Sequence, residues 1–151
     1  MDKYILETIK QAEKAYQKNE VPVGSIIIKD NIIISKGYNQ TEKYNNTINH
    51  SEVIVIKKAQ ARLNNWRLNN CVLFTSLEPC LMCSGAIINS RIKKIYYLTQ
   101  SKFISQEERD ALNIIYKKNK VEIVQLNDEK RSKKLLNNFF KEKRKNRKKM
   151  V

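Results

Sequence analysis

The chain has 151 residues, of which 41% are hydrophobic, and its 30 Lys and Arg against 15 Asp and Glu give a formal net charge of +15. This length suits one compact domain, and the positive charge favours polyanionic partners, nucleic acid first and an anionic membrane surface second. We expect a cytoplasmic protein, because the three cysteines do not suit a secreted disulfide framework, the N-terminus shows no secretory signal and no apolar run approaches the ~18 residues of a membrane span.

Hydrophobic periodicity divides the chain into helices and strands. In chain order the predicted elements are a helix over 1–19, strands over 25–29 and 32–38, a helix over 50–62, a strand over 71–76, a helix over 80–89, a strand over 94–98, a helix over 105–119, a strand over 121–126 and a last helix capped by Asn127 or Asp128. Asp30-Asn31 fits the tight turn of a hairpin, and the polar stretch 37–48 predicts a loop long enough to carry function. The continuous isoleucine runs of the hairpin predict strands covered on both faces.

This order of elements predicts an α/β fold in which a mixed five-stranded sheet is covered by helices on both faces. We expect residues 1–140 to form the folded domain and residues 141–151, with seven Lys or Arg and one Glu, to form a basic C-terminal tail. A charge run of this kind is usually a solvated extension, so RNA contact and plain solvation are both open for its far end.

Two short motifs carry the chemistry. His50 and Glu52 form an HxE motif at the start of the second helix, and Cys80 and Cys83 form a CxxC motif at the start of the third. Zn²⁺ accepts imidazole nitrogen and thiolate sulfur, and a catalytic site uses three protein ligands and leaves a fourth position for water. His50, Cys80 and Cys83 supply that ligand set, and Glu52 beside them can move protons as a general acid and base.

Each half of this predicted site has a simpler explanation. A lone histidine is most often a surface or core residue, and a lone CxxC can be a structural or redox pair. The two motifs together, in this order and at helix starts, favour a catalytic metal centre. The third cysteine, Cys71, begins an apolar strand and fits a small core residue better than a metal ligand.

An HxE motif followed by PCxxC is the signature of the zinc nucleobase deaminases. Longer segments of this chain resemble the bacterial tRNA-specific adenosine deaminases in particular. These segments are Val21-Pro22-Val23-Gly24, Gly37-Tyr38-Asn39, and the block from Leu77-Glu78-Pro79-Cys80 through Ser90-Arg91-Ile92. The resemblance runs from the first helix to Phe140, with its specific motifs between Val21 and Ile92.

This resemblance implies a homodimer with the cytidine-deaminase-like three-layer α/β/α fold and one Zn²⁺ per subunit. The implied reaction converts adenosine to inosine at the wobble position of a tRNA anticodon. Water activated by the metal attacks C6 of a flipped-out adenine, while Glu52 protonates N1 and then the departing ammonia. The resemblance also implies that Asn39 holds the base and that Ser51, Leu77 and Glu78 line the pocket through backbone groups.

The last helix resembles the part of the family that contacts the anticodon stem-loop. The residues implied in RNA binding are Phe139, Phe140, Lys141 and Arg144. Aromatic rings can stack on splayed bases and cations can neutralise phosphates, which is what recognition of a single-stranded loop needs. Because an amphipathic helix also buries aromatic residues, we expect one of the two phenylalanines in the core.

Two features depart from the family pattern. Ser51 stands where alanine is usual between the histidine and the glutamate. The stretch 99–104 replaces an Asp-x-Lys-x-Gly-Ala-type loop near the substrate and keeps only its lysine. The altered loop bears on the identity of the substrate and leaves the predicted zinc chemistry untouched.

Two other functions remain open on the sequence. One is a free-base or nucleoside deaminase that acts on guanine or cytosine, and the other is a non-catalytic RNA-binding module with structural zinc. The basic last helix argues against the first, because a small-molecule enzyme has no use for a cationic surface. Glu52 argues against the second, because a structural zinc site needs no proton shuttle.

Overall fold

Five strands form one mixed sheet between two layers of helices in the computed structural model, which describes residues 1–150 of the chain. The elements are α1 (Asp2–Gln17), β1 (Gly24–Lys29), β2 (Ile32–Tyr38), α2 (Thr41–Tyr44), α3 (Ser51–Leu63), β3 (Cys71–Leu77), α4 (Leu81–Asn89), β4 (Lys94–Thr99), α5 (Gln106–Lys118), β5 (Glu122–Gln125) and α6 (Arg131–Met150). The predicted three-layer α/β/α arrangement around a mixed five-stranded sheet is confirmed.

The sheet changes from antiparallel to parallel pairing at β3. Its strand order is β2-β1-β3-β4-β5, with β1 antiparallel to both β2 and β3, and with β3, β4 and β5 mutually parallel. Asp30 and Asn31 have φ of 51° and 63°, the positive values that a tight two-residue hairpin turn requires. Parallel neighbours need a crossover connection, and α4 and α5 supply the two crossovers.

Two hydrophobic cores hold the three layers together, one on each face of the sheet. Helices α3, α4 and α5 cover one face, where Leu73 and Ile95 from the sheet pack in one cluster with Ile87 from α4. Helices α1 and α6 cover the other face, where Ile26 from β1 packs in a cluster with Tyr4 from α1. Because helices cover both faces of the sheet, a functional site is expected at the ends of the strands, where the loops meet.

Helix α1 and strand β1 approach each other most closely at Gly24. A Cβ atom at this position would lie 2.4 Å from Ala12 N and 2.6 Å from Thr8 O, which is closer than atoms can pack. The glycine that ends the Val21–Gly24 motif is therefore required by the contact between helix and sheet. This contact fixes the start of β1 beside the loop that carries Asn39, because the Asn39 N–H donates to Val23 O at 3.0 Å.

The structure differs from the expectations in two places, at β2 and in the loop after it. Strand β2 lies at the sheet edge with Ile32 59% exposed, so the prediction of two covered faces is right for β1 and wrong for β2. The predicted loop 37–48 contains the short helix α2. Helix α6 runs unbroken across residue 140, and Val151, the end of the predicted basic tail, lies outside the described residues. The division into 1–140 and 141–151 stays a prediction.

Among residues 1–150, no helix combines the length and the hydrophobicity that crossing a bilayer requires.

The third cysteine, Cys71, is 3% exposed and belongs to the core on the α3–α5 face. This burial confirms the prediction that Cys71 is a core residue.

Candidate active site

The N-termini of α3 and α4 bring the three predicted metal ligands together. His50 is the N-cap residue of α3, Cys80 is the N-cap residue of α4, and Cys83 lies in the first turn of α4. His50 Nδ1 lies 3.6 Å from Cys80 Sγ and 3.5 Å from Cys83 Sγ. The three ligand atoms all lie within 4.8 Å of one another. They can therefore hold one metal ion between them.

The distances between these atoms fit a tetrahedral zinc ion. Zn–S bonds of ~2.3 Å and Zn–N bonds of ~2.0–2.1 Å place nitrogen and sulfur ligands of one tetrahedron ~3.5 Å apart. One imidazole and two thiols are also a donor set that suits Zn²⁺ better than Mg²⁺ or Ca²⁺. Both the geometry and the donor chemistry of His50, Cys80 and Cys83 thus agree with a metal site that takes three protein ligands.

The surroundings of the two cysteines favour a thiolate. A hydrogen bond from Cys83, assisted by one with His50, lowers the pKa of the Cys80 thiol to about 4 although partial burial opposes the shift. The same contact with Cys80, together with burial, raises the pKa of the Cys83 thiol. The two thiols are therefore coupled, and Cys80 is the one that ionises more readily. The positive end of α4 stabilises the negative charge.

Glu52 lies in the first turn of α3, two residues after His50, and is 4% exposed. Burial raises the pKa of its carboxyl group, while the hydrogen bond from Ser51 Oγ at 2.8 Å acts in the opposite direction. A carboxyl group with a raised pKa next to a metal site can accept a proton and return it near neutral pH. This environment suits the proton-transfer role predicted for Glu52.

Asn39 is tied to the start of α3. Its Oδ1 accepts a hydrogen bond of 2.7 Å from the Ser51 N–H, and the residue is 6% exposed. This contact leaves the amide NH₂ of Asn39 as the donor that can face a base. Helix α2, which follows Asn39, is held by Glu20, whose carboxylate accepts hydrogen bonds of 2.9 Å from the N–H groups of Glu42 and Lys43.

A buried ion pair locks the corner formed by Leu77 and Glu78. The Glu78 carboxylate accepts hydrogen bonds from Arg109 Nε at 2.7 Å, from Arg109 Nη2 at 2.8 Å and from the Ser101 N–H at 3.0 Å. The hydrogen bond with Glu78 raises the pKa of the Arg109 guanidinium. The Glu78 N–H donates to Thr99 O at 2.9 Å, so the backbone carbonyl is the group of Glu78 left for a substrate.

A groove of about 1380 Å³ opens between Leu77, the loops that follow β4 and β5, and helix α6. Its charged lining residues are the basic Lys102, Arg109, Lys130, Lys133, Lys141, Lys143, Arg144 and Arg147 and the acidic Asp128. The groove reaches Leu77, which precedes Cys80 by three residues in the chain. A strongly basic groove of this kind attracts a polyanion.

The two phenylalanines predicted to bind RNA lie in different environments. Phe139 is 6% exposed and packs against Tyr16, with ring centroids 6.4 Å apart. Phe140 is half-buried and lines the groove, where it meets Phe103 with ring centroids 5.5 Å apart. Phe103 is 72% exposed. The expectation that one phenylalanine belongs to the core is confirmed, and Phe103 takes the exposed position beside Phe140.

Several residues of this site gave no signal in the sequence. Glu20 precedes the Val21–Gly24 motif, and Arg109 looks like an ordinary charged residue of an amphipathic helix. Ser25 is one more small residue in an apolar strand, yet its Oγ lies 2.7 Å from Ser51 Oγ. Each of them reaches the site from a different part of the chain. The sequence does not reveal that Glu20 and Arg109 lie beside the motifs, because their positions depend on the tertiary fold.

Relatives in sequence agree with this geometry. A family model described as MafB19-like deaminase matches residues 1–144. A tRNA-specific adenosine deaminase from Streptococcus pyogenes is 46% identical over 94 residues, which make up 62% of this chain and 59% of the relative. The aligned part of the chain therefore spans about three fifths of the length of that relative.

Two solved structures share the fold. One comes from a study of A-to-I editing by tRNA:A34 deaminases at the wobble position; it is 33% identical with a TM-score of 0.65 and covers 66% of this chain and 77% of its own. The other is a guanine deaminase from Bacillus subtilis, 30% identical with a TM-score of 0.63, covering 77% of this chain and 74% of its own. The resemblance predicted from the motifs is confirmed, and the chain belongs to the MafB19-like deaminase family.

Proposed function

We propose that this protein hydrolyses the amino group of adenosine at the wobble position of a tRNA anticodon, giving inosine and ammonia. The observation that carries the proposal is the meeting of His50, Cys80 and Cys83, with the buried Glu52 two residues after His50, in a chain that also has a basic groove reaching Leu77. The 46% identity to a tRNA-specific adenosine deaminase over 62% of the chain supports the choice of substrate.

His50, Cys80 and Cys83 would hold one Zn²⁺ per subunit. When bound, Zn²⁺ acts as a Lewis acid that makes a nucleophilic water available near neutral pH. Glu52 accepts one proton of the water that adds at C6 and delivers it to N1 of adenine. The second proton passes through the same carboxylate to the amino group, the C6–N bond breaks, and ammonia leaves.

The groups around Glu52 support binding of the adenine base in the position that these proton transfers require. Ser51 holds Asn39 Oδ1, so the Asn39 NH₂ group can donate to an acceptor of the purine. The backbone carbonyl of Glu78 can accept from a donor on the base, and Leu77, which also lines the groove, can supply apolar contact. Together these groups bind a flipped-out base by its edge, as the reaction requires.

The groove supports an anticodon stem-loop as the substrate. Lys141 and Arg144 are exposed on α6 and can neutralise phosphates, and the ring of Phe140 with that of Phe103 can stack on unpaired bases. Both kinds of contact serve a single-stranded loop, whose bases are free to leave their stack. A tRNA substrate also implies that the protein works in the cytoplasm.

Exposed apolar side chains beside the metal ligands support a homodimer. Ile48 is 52% exposed two residues before His50, while Leu81 and Met82, directly after Cys80, are 68% and 36% exposed. Exposed apolar side chains that form one contiguous patch are typical of interaction sites. We therefore propose that two subunits pack through this surface, with the start of α4 near the interface.

The second candidate is a free-base deaminase. It is favoured by the guanine deaminase that is 30% identical to this chain in an alignment covering 74% of that enzyme. One experiment separates the candidates: the zinc-loaded protein is incubated with an adenosine-34 anticodon stem-loop, free adenosine, guanine and cytosine, and inosine and ammonia are measured. We expect inosine from the stem-loop and no ammonia from the free bases. Conversion of guanine or cytosine without conversion of the stem-loop would reverse this assignment, and stoichiometric zinc with no product from any substrate would favour a non-catalytic module.

A further inference from the structure

We propose that the hydroxyl groups of Ser25 and Ser51 form a buried chain behind Glu52 that sets the orientation of its carboxylate. Both serines are then positioning residues, because they act on the substrate only through Glu52. The inference rests on the proton-transfer role proposed for Glu52, and it holds for whichever base the enzyme deaminates.

The distances define the chain and its direction. Ser51 Oγ donates a hydrogen bond of 2.8 Å to Glu52 Oε1, and Ser25 Oγ lies 2.7 Å from Ser51 Oγ. A hydroxyl group carries a single proton, and that of Ser51 is engaged with the carboxylate. Ser25 is therefore the donor to Ser51, and the donation runs from Ser25 through Ser51 to Glu52. Both serines are 0% exposed and Glu52 is 4% exposed.

This chain joins the sheet to the catalytic helix. Ser25 lies on β1 and Ser51 is the first residue of α3, so the contact fixes the first turn of α3 against the strand. A hydroxyl that accepts one hydrogen bond donates a stronger one, and a bond to a carboxylate is stronger than a bond between neutral groups. The bond to Oε1 thereby fixes the plane of the Glu52 carboxylate two residues after His50.

The hydroxyl at position 51 is a feature of this chain, since the family resemblance predicts alanine there. Burial of the position alone does not explain the hydrogen bonds of the Ser51 hydroxyl. Thr75 lies opposite Ser25 in the β1–β3 register and is also 0% exposed, yet within residues 1–150 its Oγ1 has no hydrogen-bond partner. A buried hydroxyl can thus lie at the same depth without joining the chain, which makes Thr75 a matched control.

The test uses zinc-loaded Ser51→Ala, Ser25→Ala, the double variant and Thr75→Val. In Ser51→Ala we expect kcat to fall about tenfold, the size expected for one lost hydrogen bond to a charged group, with KM and zinc content unchanged. Ser25→Ala keeps the donor to Glu52, so its kcat should fall only about threefold. Thr75→Val should keep the kcat of the unaltered protein.

Stability separates positioning from packing. Ser51→Ala leaves the Ser25 hydroxyl buried without its acceptor, so the midpoint of urea unfolding should fall, and the double variant should recover it. The kcat of the double variant should stay as low as that of Ser51→Ala. Recovery of kcat along with stability would overturn the proposal, because the pair would then act only through packing.

A structural readout keeps the proposal independent of the substrate. In crystals of the zinc-loaded protein, we expect one Glu52 conformer within hydrogen-bond distance of Ser51 Oγ, and a rotated or split carboxylate in Ser51→Ala. The same single conformer in Ser51→Ala would overturn the proposal. If the unaltered protein leaves the stem-loop unchanged, the proposed function fails, but the crystal comparison still decides the role of the serines.

Discussion

The region around His50, Glu52, Glu78, Cys80 and Cys83, called the corner below, and the groove along α6 are built in opposite ways. In the corner, Cys83 and Glu52 are 0% and 4% exposed, and hydrogen bonds from Ser51 to Asn39 and to Glu52 tie the start of α3. In the groove, exposed cations such as Lys141 and Arg144 project from one helix. The corner is organised before a substrate arrives, whereas the groove acts through charge.

The difference predicts which measured quantity each region controls. Groups held within hydrogen-bond distance in a buried site act on the chemical step, because their interactions are not screened by water. Exposed cations act on the encounter with a polyanion, and salt screens their effect over ~10 Å at 0.1 M ionic strength. Changes in the corner should therefore alter kcat, and changes in the groove should alter KM and its dependence on salt.

The largest effect is expected from Glu52→Gln. The amide keeps the shape of the side chain but cannot move protons, so kcat should fall by roughly a thousandfold, within the range of general acid–base catalysis. Zinc content, measured by metal analysis, should stay at one per subunit because Glu52 is not a ligand. Glu107→Gln, which changes an exposed carboxylate at the start of α5, is the matched control. Full activity of Glu52→Gln would refute the proposed mechanism.

The next effect tests the ion pair that connects the two regions, since Glu78 lies in the corner and Arg109 lines the groove. The side chains of Glu78 and Arg109 are 7% and 14% exposed. Arg109→Ala leaves the buried Glu78 carboxylate without its partner, so the free energy of unfolding should fall by about 3–5 kcal/mol. Urea unfolding of the zinc-loaded protein measures this loss.

A double variant is the control for this loss. Glu78→Gln with Arg109→Met removes both charges, so most of the lost stability should return. If Arg109→Ala costs less than about 1 kcal/mol, the ion pair behaves as a solvated surface pair. The pair of Glu78 and Arg109 would then contribute little to the stability of the corner, and Arg109 would behave like the exposed cations of the groove.

Residues of the local motifs and residues joined only by tertiary packing differ in how far the sequence predicts them. His50, Glu52, Cys80 and Cys83 follow from local spacing, because a ligand at a helix start is positioned by the helix itself. Ser25 and Arg109 could not be found in this way, since each meets its partner only through tertiary packing. A side chain that matters through one distant contact has no periodic or motif signal.

The limits of the fold prediction have the same physical origin. Hydrophobic runs located every strand, but the run at Ile32 does not reveal that β2 is an edge strand, because edge position depends on which strands pair. Helical spacing predicts that one of Phe139 and Phe140 is buried. The identity of the buried one depends on the rotation of α6 against α1, where Phe139 meets Tyr16.

The smallest effect concerns the groove, where Lys141, Arg144 and Arg147 are changed together to glutamine. Each cation that contacts a phosphate of single-stranded RNA adds about 0.7 to the slope of log K against log salt, so the slope for the stem-loop should flatten by about 2. The kcat at saturating RNA should not change, because these residues do not touch Glu52 or the metal ligands. Fluorescence anisotropy with a labelled stem-loop at several salt concentrations measures the slope.

The matched control changes three exposed lysines at and just after the C-terminal end of α5 to glutamine: Lys117, Lys118 and Lys120. It lowers the net charge by the same three units, from +15 to +12. If RNA is attracted only by the total charge, both triple variants will flatten the slope equally, and the groove will have no special role. If the groove binds the phosphates directly, only the α6 variant will flatten the slope. The lysines of the control variant would then be too far from the bound RNA to contact its phosphates.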